Sequence, residues 1–285
     1  MPELPEVEEA RRIAHRVAAG RRITGVEVAP DPIVLERLGP ARMRRALLGR
    51  RVIAVRRHGK HLWLELDRRP WPCFHFGMAG GFHAPAAPGA RRGPVHAVRL
   101  VSSGDRAHTW PPRFTKLLIR FGDGGALAMT DARRLGRIRL REDPRTEPPI
   151  SLLGFDALHD LPSPAAFRAH LAERAAPVKA VLLDQSFAAG VGNWIADEVL
   201  YQARIAPKRP ARSLSIEEAR RLRAALRSVV ATAVRARADS DRYPPSWLFH
   251  RRWGRQAGAV TARGQSIRHD TVGGRTTAWV PARQR

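Results

Sequence analysis

The chain has 285 residues, 44% of them hydrophobic, with a single cysteine. It can therefore bury a sizeable core, but it has no internal disulfide and no Cys-x-x-Cys pair for zinc or an iron–sulfur cluster. Lys and Arg number 51 against 26 Asp and Glu, a net charge of +25, which points to a polyanionic partner, nucleic acid ahead of an anionic membrane. Charge alone leaves a purely structural nucleic-acid binder open. No leader pattern, long apolar run or basic amphipathic anchor is legible, so a cytoplasmic, intracellular protein is expected.

The chain opens Met1-Pro2-Glu3-Leu4-Pro5-Glu6-Val7-Glu8-Glu9, four carboxylates at the start of a basic protein. Pro5 suits the first helical position, the acidic residues suit the positive dipole end, and Gly20 suits the stop. Val7, Ala10, Ile13, Ala14 and Val17 form one apolar stripe that can dock on a core. A capped helix accounts for Glu6, Glu8 and Glu9 but not for Pro2 and Glu3. Once Met1 is removed, Pro2 presents the α-amino group as a secondary amine. Such amines titrate near ~7.7–8, against ~10.4 for lysine. The amine is then a ready nucleophile toward a sugar or carbonyl carbon, and Glu3 beside it can move the protons required.

From about residue 22 to 142 the pattern reads as strands. Ile23–Val28 alternates; Arg51–Arg56 and Leu62–Leu66 flank the turn His58-Gly59-Lys60-His61. Lys116–Phe121 and Ala126–Met129 flank Gly122-Asp123-Gly124-Gly125, a second hairpin, and Ile138-Arg139-Leu140 closes the set. Residues 84–94 read as an exposed loop. Residues 143–150, rich in proline, read as a linker. Helices follow: one opened by Ser163-Pro164, Val178–Leu183, Trp194–Gln202, and one capped by Ser215 with Glu218 and burying Ala219, Leu222, Leu226, Val229, Val230 and Ala233. The last stretch, 242–285, carries nine arginines and one aspartate, Asp270. Ala259-Val260-Thr261 and Thr276–Val280 suggest a β-hairpin presenting arginines. The expected fold class is α+β: a β-sandwich or barrel-like domain over 1–142, a linker over 143–150, a helical domain over 151–241, and a hairpin finger over 242–285.

Several stretches admit both a structural and a chemical reading. Gly190-Val191-Gly192-Asn193 is either a plain helix–helix turn or a phosphate-gripping one, with Asn193 suited to cap the next helix. Lys60 is either a solvated hairpin lysine or a functional one. Met78, between Gly77 and Gly80, is either core or a wedge between bases. Arg133-Arg134-Leu135 after Asp131 is either a solvated strand start or an inserted probe.

Taken together, these residues resemble the formamidopyrimidine-DNA glycosylase and endonuclease VIII family, over nearly the whole chain. Pro2-Glu3-Leu4-Pro5-Glu6-Val7-Glu8 matches its N-terminal signature; Gly59-Lys60, the Met78 loop, Asp131-Ala132-Arg133-Arg134 and Leu183-Asp184-Gln185 through Asn193 follow in family order. Trp194–Tyr201 and Gly273–Pro281 are most similar to the plant and fungal branch, whose finger lacks zinc.

The resemblance implies a helix-two-turn-helix domain over 151–241, a zinc-less finger, and a bifunctional DNA glycosylase/AP lyase of base excision repair. By that resemblance Pro2 is the nucleophile at the sugar C1′ and forms a Schiff base. Glu3 gives acid–base help, and Lys60 and Arg275 contact phosphates and assist β,δ-elimination. Asn193 and Gly192 bind DNA backbone, Glu6 and Glu198 support the site, and Met78, Arg133 and Leu135 fill the space left by a flipped nucleotide. No metal or cofactor is called for, because the iminium is its own electron sink. A monomer acting on damaged double-stranded DNA at the nucleoid is expected.

Three departures stand out: Leu135 where relatives usually have phenylalanine, Phe114 where many bacterial members have a DNA-contacting histidine, and a short 239–247 stretch in place of a longer loop. They imply better excision of formamidopyrimidines or hydantoins than of 8-oxoguanine. An endonuclease VIII-like preference for oxidised pyrimidines is the near alternative, and a non-catalytic nucleic-acid-binding protein is the alternative from another class.

Overall fold

A computed structural model describes residues 2–85, 98–101, 110–253 and 258–285, with the backbone alone for 98–101. The loop expected at 84–94 falls largely outside the described residues. The chain divides into two compact units, Met1–Leu152 and Leu153–Arg285.

In the first unit, helix α1 (Leu4–Ala18) starts after Glu3, one residue earlier than Pro5 alone suggests, so Pro5 occupies its second position. Glu6 closes a capping box by accepting the Glu3 N–H at 3.0 Å. The chain leaves the helix through Gly20 at φ +79°. Val7, Ala10, Ile13 and Ala14 of the expected stripe are buried, and Val17 packs partly buried against the same core.

The unit contains two sheets and, among the described residues, no closed barrel. The five-stranded sheet runs β1 (Ile23–Val28), β7 (Thr115–Phe121), β8 (Ala126–Thr130), β5 (Gly81–Pro85), β6 (Val98–Val101). The four-stranded sheet runs β2 (Val52–His58), β3 (His61–Leu66), β4 (Trp71–His75), β9 (Arg137–Arg141). Helix α2 (Pro40–Leu47) packs on β1 and β4, and α1 packs on β2 and β3 of one sheet and on β5, β6 and β8 of the other. Leu62, Leu64, Phe74, Phe82, Leu117, Ile119 and Met129 meet the helix stripe in one core. Each such side chain contributes about 1.5–3 kcal/mol of burial.

The second unit is built around α5 (Asn193–Ala203), which packs on α4 (Val178–Leu183) and α6 (Ile216–Arg235), while α3 (Pro164–Ala172) leans on α6. Ser163 caps α3 and Ser215 with Glu218 boxes α6, as the sequence suggests. All six apolar residues expected on α6 are buried. Two short parallel strands, β10 (Phe155–Asp156) and β11 (Ala188–Ala189), pair before α5. The finger hairpin joins β12 (Arg268–Val272) to β13 (Arg275–Trp279). Its first strand is therefore 268–272 and not the expected 259–261. Val260 makes only an isolated bridge with Ser266.

Candidate functional site

The residues proposed from the sequence fall into separate groups within each unit. At the start of α1, Pro2 and Glu3 are buried and Glu6 is half-buried. Desolvation, then the adjacent Glu3 charge, pushes the Glu6 carboxyl up to about 7. Glu6 thus exchanges its proton near neutrality beside Glu3.

Two residues further on, Glu8 behaves in the opposite way. Burial opposes its ionisation, but hydrogen bonds from Arg11 and the charges of Arg57 and Arg11 win and hold its carboxyl below the ordinary value. Arg57 donates from Nε to Glu8 Oε2 at 3.0 Å and from Nη1 to the Gly59 carbonyl at 2.9 Å. This buried pair ties α1 to the tip of the β2–β3 hairpin, where Gly59 at φ +55° turns the chain into half-buried Lys60. The His61 and His75 rings meet beside the tip, tilted by 37° with centroids 4.7 Å apart. Desolvation, joined by nearby cations, lowers them to about 3 and about 4, so both stay neutral.

A second group in the same unit presents apolar side chains. Gly77 lies at φ +61°, and a Cβ there would come within 2.4 Å of the Leu135 carbonyl carbon, so only glycine lets the Met78 turn sit against the 131–136 loop. Asp131 is fully buried; its carboxylate accepts Arg133 N–H at 3.1 Å and Gly136 N–H at 2.6 Å, stapling both ends of the loop. Arg134, in a left-handed conformation, is held by Asp31 through contacts of 3.0 and 3.1 Å, and Lys116 Nζ reaches the same carboxylate at 2.8 Å. Despite the pull of burial, those hydrogen bonds keep Asp31 ionised well below the usual carboxylate range. With Arg134 anchored, Arg133 and Leu135 are left exposed, beside Met78 at 39% exposure.

In the second unit, Gly190 at φ +98° and Gln185, whose side chain contacts Gly190 N and Val191 O, shape the turn into α5. Gly192, not Asn193, is the N-cap; Asn193 is the first helical residue. Its Nδ2 donates to the Thr276 carbonyl at 2.9 Å, so the side chain joins α5 to β13 next to exposed Arg275. The β12–β13 turn packs on α4: a Cβ on Gly273 would meet Ala180 at 3.1 Å.

Beneath the hairpin, Asp197 contacts Lys179 Nζ at 2.6 Å and accepts from Arg252 Nη2 at 2.7 Å and Ala278 N at 3.1 Å. Lys179 also donates to Thr276 O at 3.0 Å and Thr277 Oγ1 at 2.7 Å. Polar contacts from fixed side chains thus position the strand that bears Arg275. Glu198, fully buried, accepts from Gln202 Nε2 and Phe249 N, both at 2.8 Å; desolvation pushes it up to about 7. It holds the aromatic segment around Leu248–His250, where Trp194 stacks on Tyr243 at 5.7 Å. The short 239–247 stretch folds there as a single 3-10 turn, Ser240–Arg242.

Sequence reading misses Arg57, Asp31, Lys179 and Asp197. Each acts across a long sequence separation, so no local spacing marks it. A lysine two residues after a helix-opening proline, and an aspartate inside an apolar helix, are the only clues.

Comparisons agree over the chain. The family profile described as the formamidopyrimidine-DNA glycosylase N-terminal domain matches residues 1–138, and that of the H2TH domain matches residues 153–243. The formamidopyrimidine-DNA glycosylase of Arabidopsis thaliana is 41% identical over 285 residues, covering 100% of this chain and 71% of the relative. The crystal structure of the MutM (Fpg) protein from Thermus thermophilus superposes with a TM-score of 0.73 at 33% identity, covering 99% of this chain and 98% of that one. That of the Lactococcus lactis enzyme, non-covalently bound to DNA containing an AP site, gives a TM-score of 0.78 at 24% identity and 99% coverage of both, a likeness of fold.

Proposed function

This chain belongs to the formamidopyrimidine-DNA glycosylase family, and on that premise we propose that Pro2, freed by loss of Met1, is the nucleophile of a combined glycosylase and AP lyase. It is a DNA glycosylase of base excision repair, and damaged DNA is its partner. The observation that carries the proposal is the Pro2-Glu3 pair set buried at the mouth of a capped helix, with proton-exchanging Glu6 beside it. The Glu8–Arg57–Gly59 chain then fixes the Lys60 turn to the same helix.

The Pro2 nitrogen lone pair attacks C1′, the glycosidic bond breaks, and the base leaves after taking up a proton. Glu3 relays the protons: the nitrogen gives up its own, the C1′–O4′ bond breaks, O4′ takes up a proton as the sugar ring opens, and the iminium forms. The iminium acidifies the C2′–H; its loss expels the 3′ phosphate, and a second elimination expels the 5′ phosphate. Water finally hydrolyses the Schiff base and returns the amine. Lys60, and Arg275 on the finger, hold phosphates during these steps, assisted by Asn193 and the Gly192 backbone. Met78, Arg133 and Leu135 enter the space vacated by the flipped nucleotide. Glu198 supports the segment 247–250. The lesions best removed are formamidopyrimidines and hydantoins, because the short 239–247 turn leaves little to enclose 8-oxoguanine.

The same proposal divides the chain into a catalytic domain over 1–142, a linker over 143–150, a helix-two-turn-helix domain over 151–241 and a finger over 242–285. It describes a monomer working inside the cell at the nucleoid. The +25 charge suits a setting rich in DNA.

Borohydride trapping on abasic and lesion-bearing duplexes tests the mechanism, with the N-terminus checked by mass. Wild type lacking Met1 should give a covalent adduct and Pro2→Gly should lose it by orders of magnitude, with formamidopyrimidine duplexes cleaved fastest. DNA binding without any adduct would instead favour a binder that performs no chemistry.

A further inference from the structure

Phe114 has no task in the core. It is 48% exposed and lies one residue before β7. The preceding segment is anchored by its neighbour Trp110, which packs against Leu118, Ala126 and Ala128. The Phe114 backbone lies at φ +64°, a left-handed conformation that bulky residues seldom adopt and that is costly for them. Such strain persists where the surroundings enforce it and something is gained from it. Here the enforcement is visible: Asp131 N–H donates to the Phe114 carbonyl at 3.1 Å, and Thr115 pairs with Thr130 next to it.

Asp131 is also the residue whose carboxylate staples the 131–136 loop. One buried side chain and its own N–H therefore fix Phe114 and the loop carrying Arg133 and Leu135 together. The segments linked through Asp131 and Gly77 carry three exposed large apolar residues, Met78, Phe114 and Leu135, and Phe114 is the only aromatic among them. The Arg113 guanidinium lies over the Phe114 ring, 4.7 Å from its centroid, adding positive charge next to the flat surface. An exposed ring with an arginine on it suits a base or deoxyribose beside a phosphate.

We propose that Phe114 is a fourth DNA-facing side chain, stacking on a nucleotide beside the lesion and supplying the aromatic face that Leu135 lacks. The inference rests on the DNA-repair reading above and deepens it: recognition of the gap in the duplex is shared among three segments, with the aromatic part moved from the 131–136 loop to residue 114.

The test uses the full chain and duplexes that carry a stable abasic-site analogue with 2-aminopurine as the neighbouring base. Wild type should change the 2-aminopurine fluorescence on binding. Phe114→Leu and Phe114→Gly should each lower affinity for the damaged duplex relative to an undamaged one by about tenfold and abolish that change, with the salt dependence of binding unaltered. Phe114→Tyr should retain both properties. Glycine relieves the left-handed backbone, so a melting temperature at or above wild type in Phe114→Gly shows that the fold is intact. Leu135→Phe placed in the Phe114→Leu background should restore discrimination. Wild-type discrimination in folded Phe114→Leu and Phe114→Gly would overturn the proposal, as would an equal loss in Phe114→Tyr. Borohydride trapping by wild type runs alongside: failure to form an adduct rejects the role of Pro2, whereas the Phe114 result is read from binding alone.

Discussion

In the first unit, the buried carboxylate of Glu8 faces the sealed guanidinium of Arg57, while Arg11 and Arg12 reach it from the solvent side with a quarter or more of their side chains exposed (25% and 38%). In the second, Lys179 and Asp197 are both at 0% exposure, with Arg252 behind them at 5%. Both arrangements do the same mechanical job. One fixes the hairpin tip with Lys60 to α1, and the other fixes the strand with Arg275 to α4 and α5. They differ in what remains when one partner is removed. Solvent reaches the Glu8 site past Arg11 and Arg12, whereas Lys179 and Asp197 are both sealed from it.

The comparison predicts a graded series. Asp197→Asn leaves the Lys179 ammonium buried without its counter-charge and should cost about 3–5 kcal/mol. Denaturant unfolding should show it, together with faster hydrogen exchange at the β12–β13 amides; a loss of under 1 kcal/mol would show that water enters the second unit after all.

Glu8→Gln should cost less, about 2 kcal/mol, because solvent reaches that site past the partly exposed Arg11 and Arg12. Its effect must also depend on pH. A depressed carboxylate contributes stability above its unfolded value of 4.5 and loses it as pH falls, so wild type and variant should converge in acid.

Glu6→Gln should have the smallest effect and the opposite slope. A carboxyl raised to about 7 contributes its full share below 4.5 and loses it as pH rises through about 7. Glutamine keeps the capping box, so the variant should gain on the order of 1 kcal/mol over wild type at pH 8 and little at pH 4. Melting temperatures across that range, measured on material of known N-terminus, would reveal it. Matching slopes for Glu6 and Glu8 would mean that the arginines do not separate them.

What is legible in the sequence follows from the range of the forces involved. The hairpins over 52–66 and 115–130 carry their own turn residues, and α1, α3 and α6 carry their own caps. The finger's register is hidden because Arg268–Val272 contains Arg, His, Asp and Thr and shows little apolar alternation. Its strand character comes from pairing with β13 and from Trp279 Nε1 reaching Asp270 at 3.0 Å. β4 escapes notice because Pro72 lies inside it. Among the site residues, Pro2, Glu3, Lys60 and Asn193 lie in short recognisable strings. The groups that hold their elements in place join residues 49 apart in Glu8 and Arg57, 103 apart in Asp31 and Arg134, and 55 apart in Asp197 and Arg252.

The finger's attachment has a chemical consequence. It hangs on amide, carboxylate and ammonium contacts, and residues 242–285 contain no cysteine. The chain's single thiol, Cys73, is buried in the first unit, where desolvation pushes it up to about 12 and keeps it protonated. Peroxide attacks thiolates far faster than thiols. Oxidation of thiols, a common way for peroxide to loosen a protein, therefore finds no target in the segment that carries the β12–β13 hairpin.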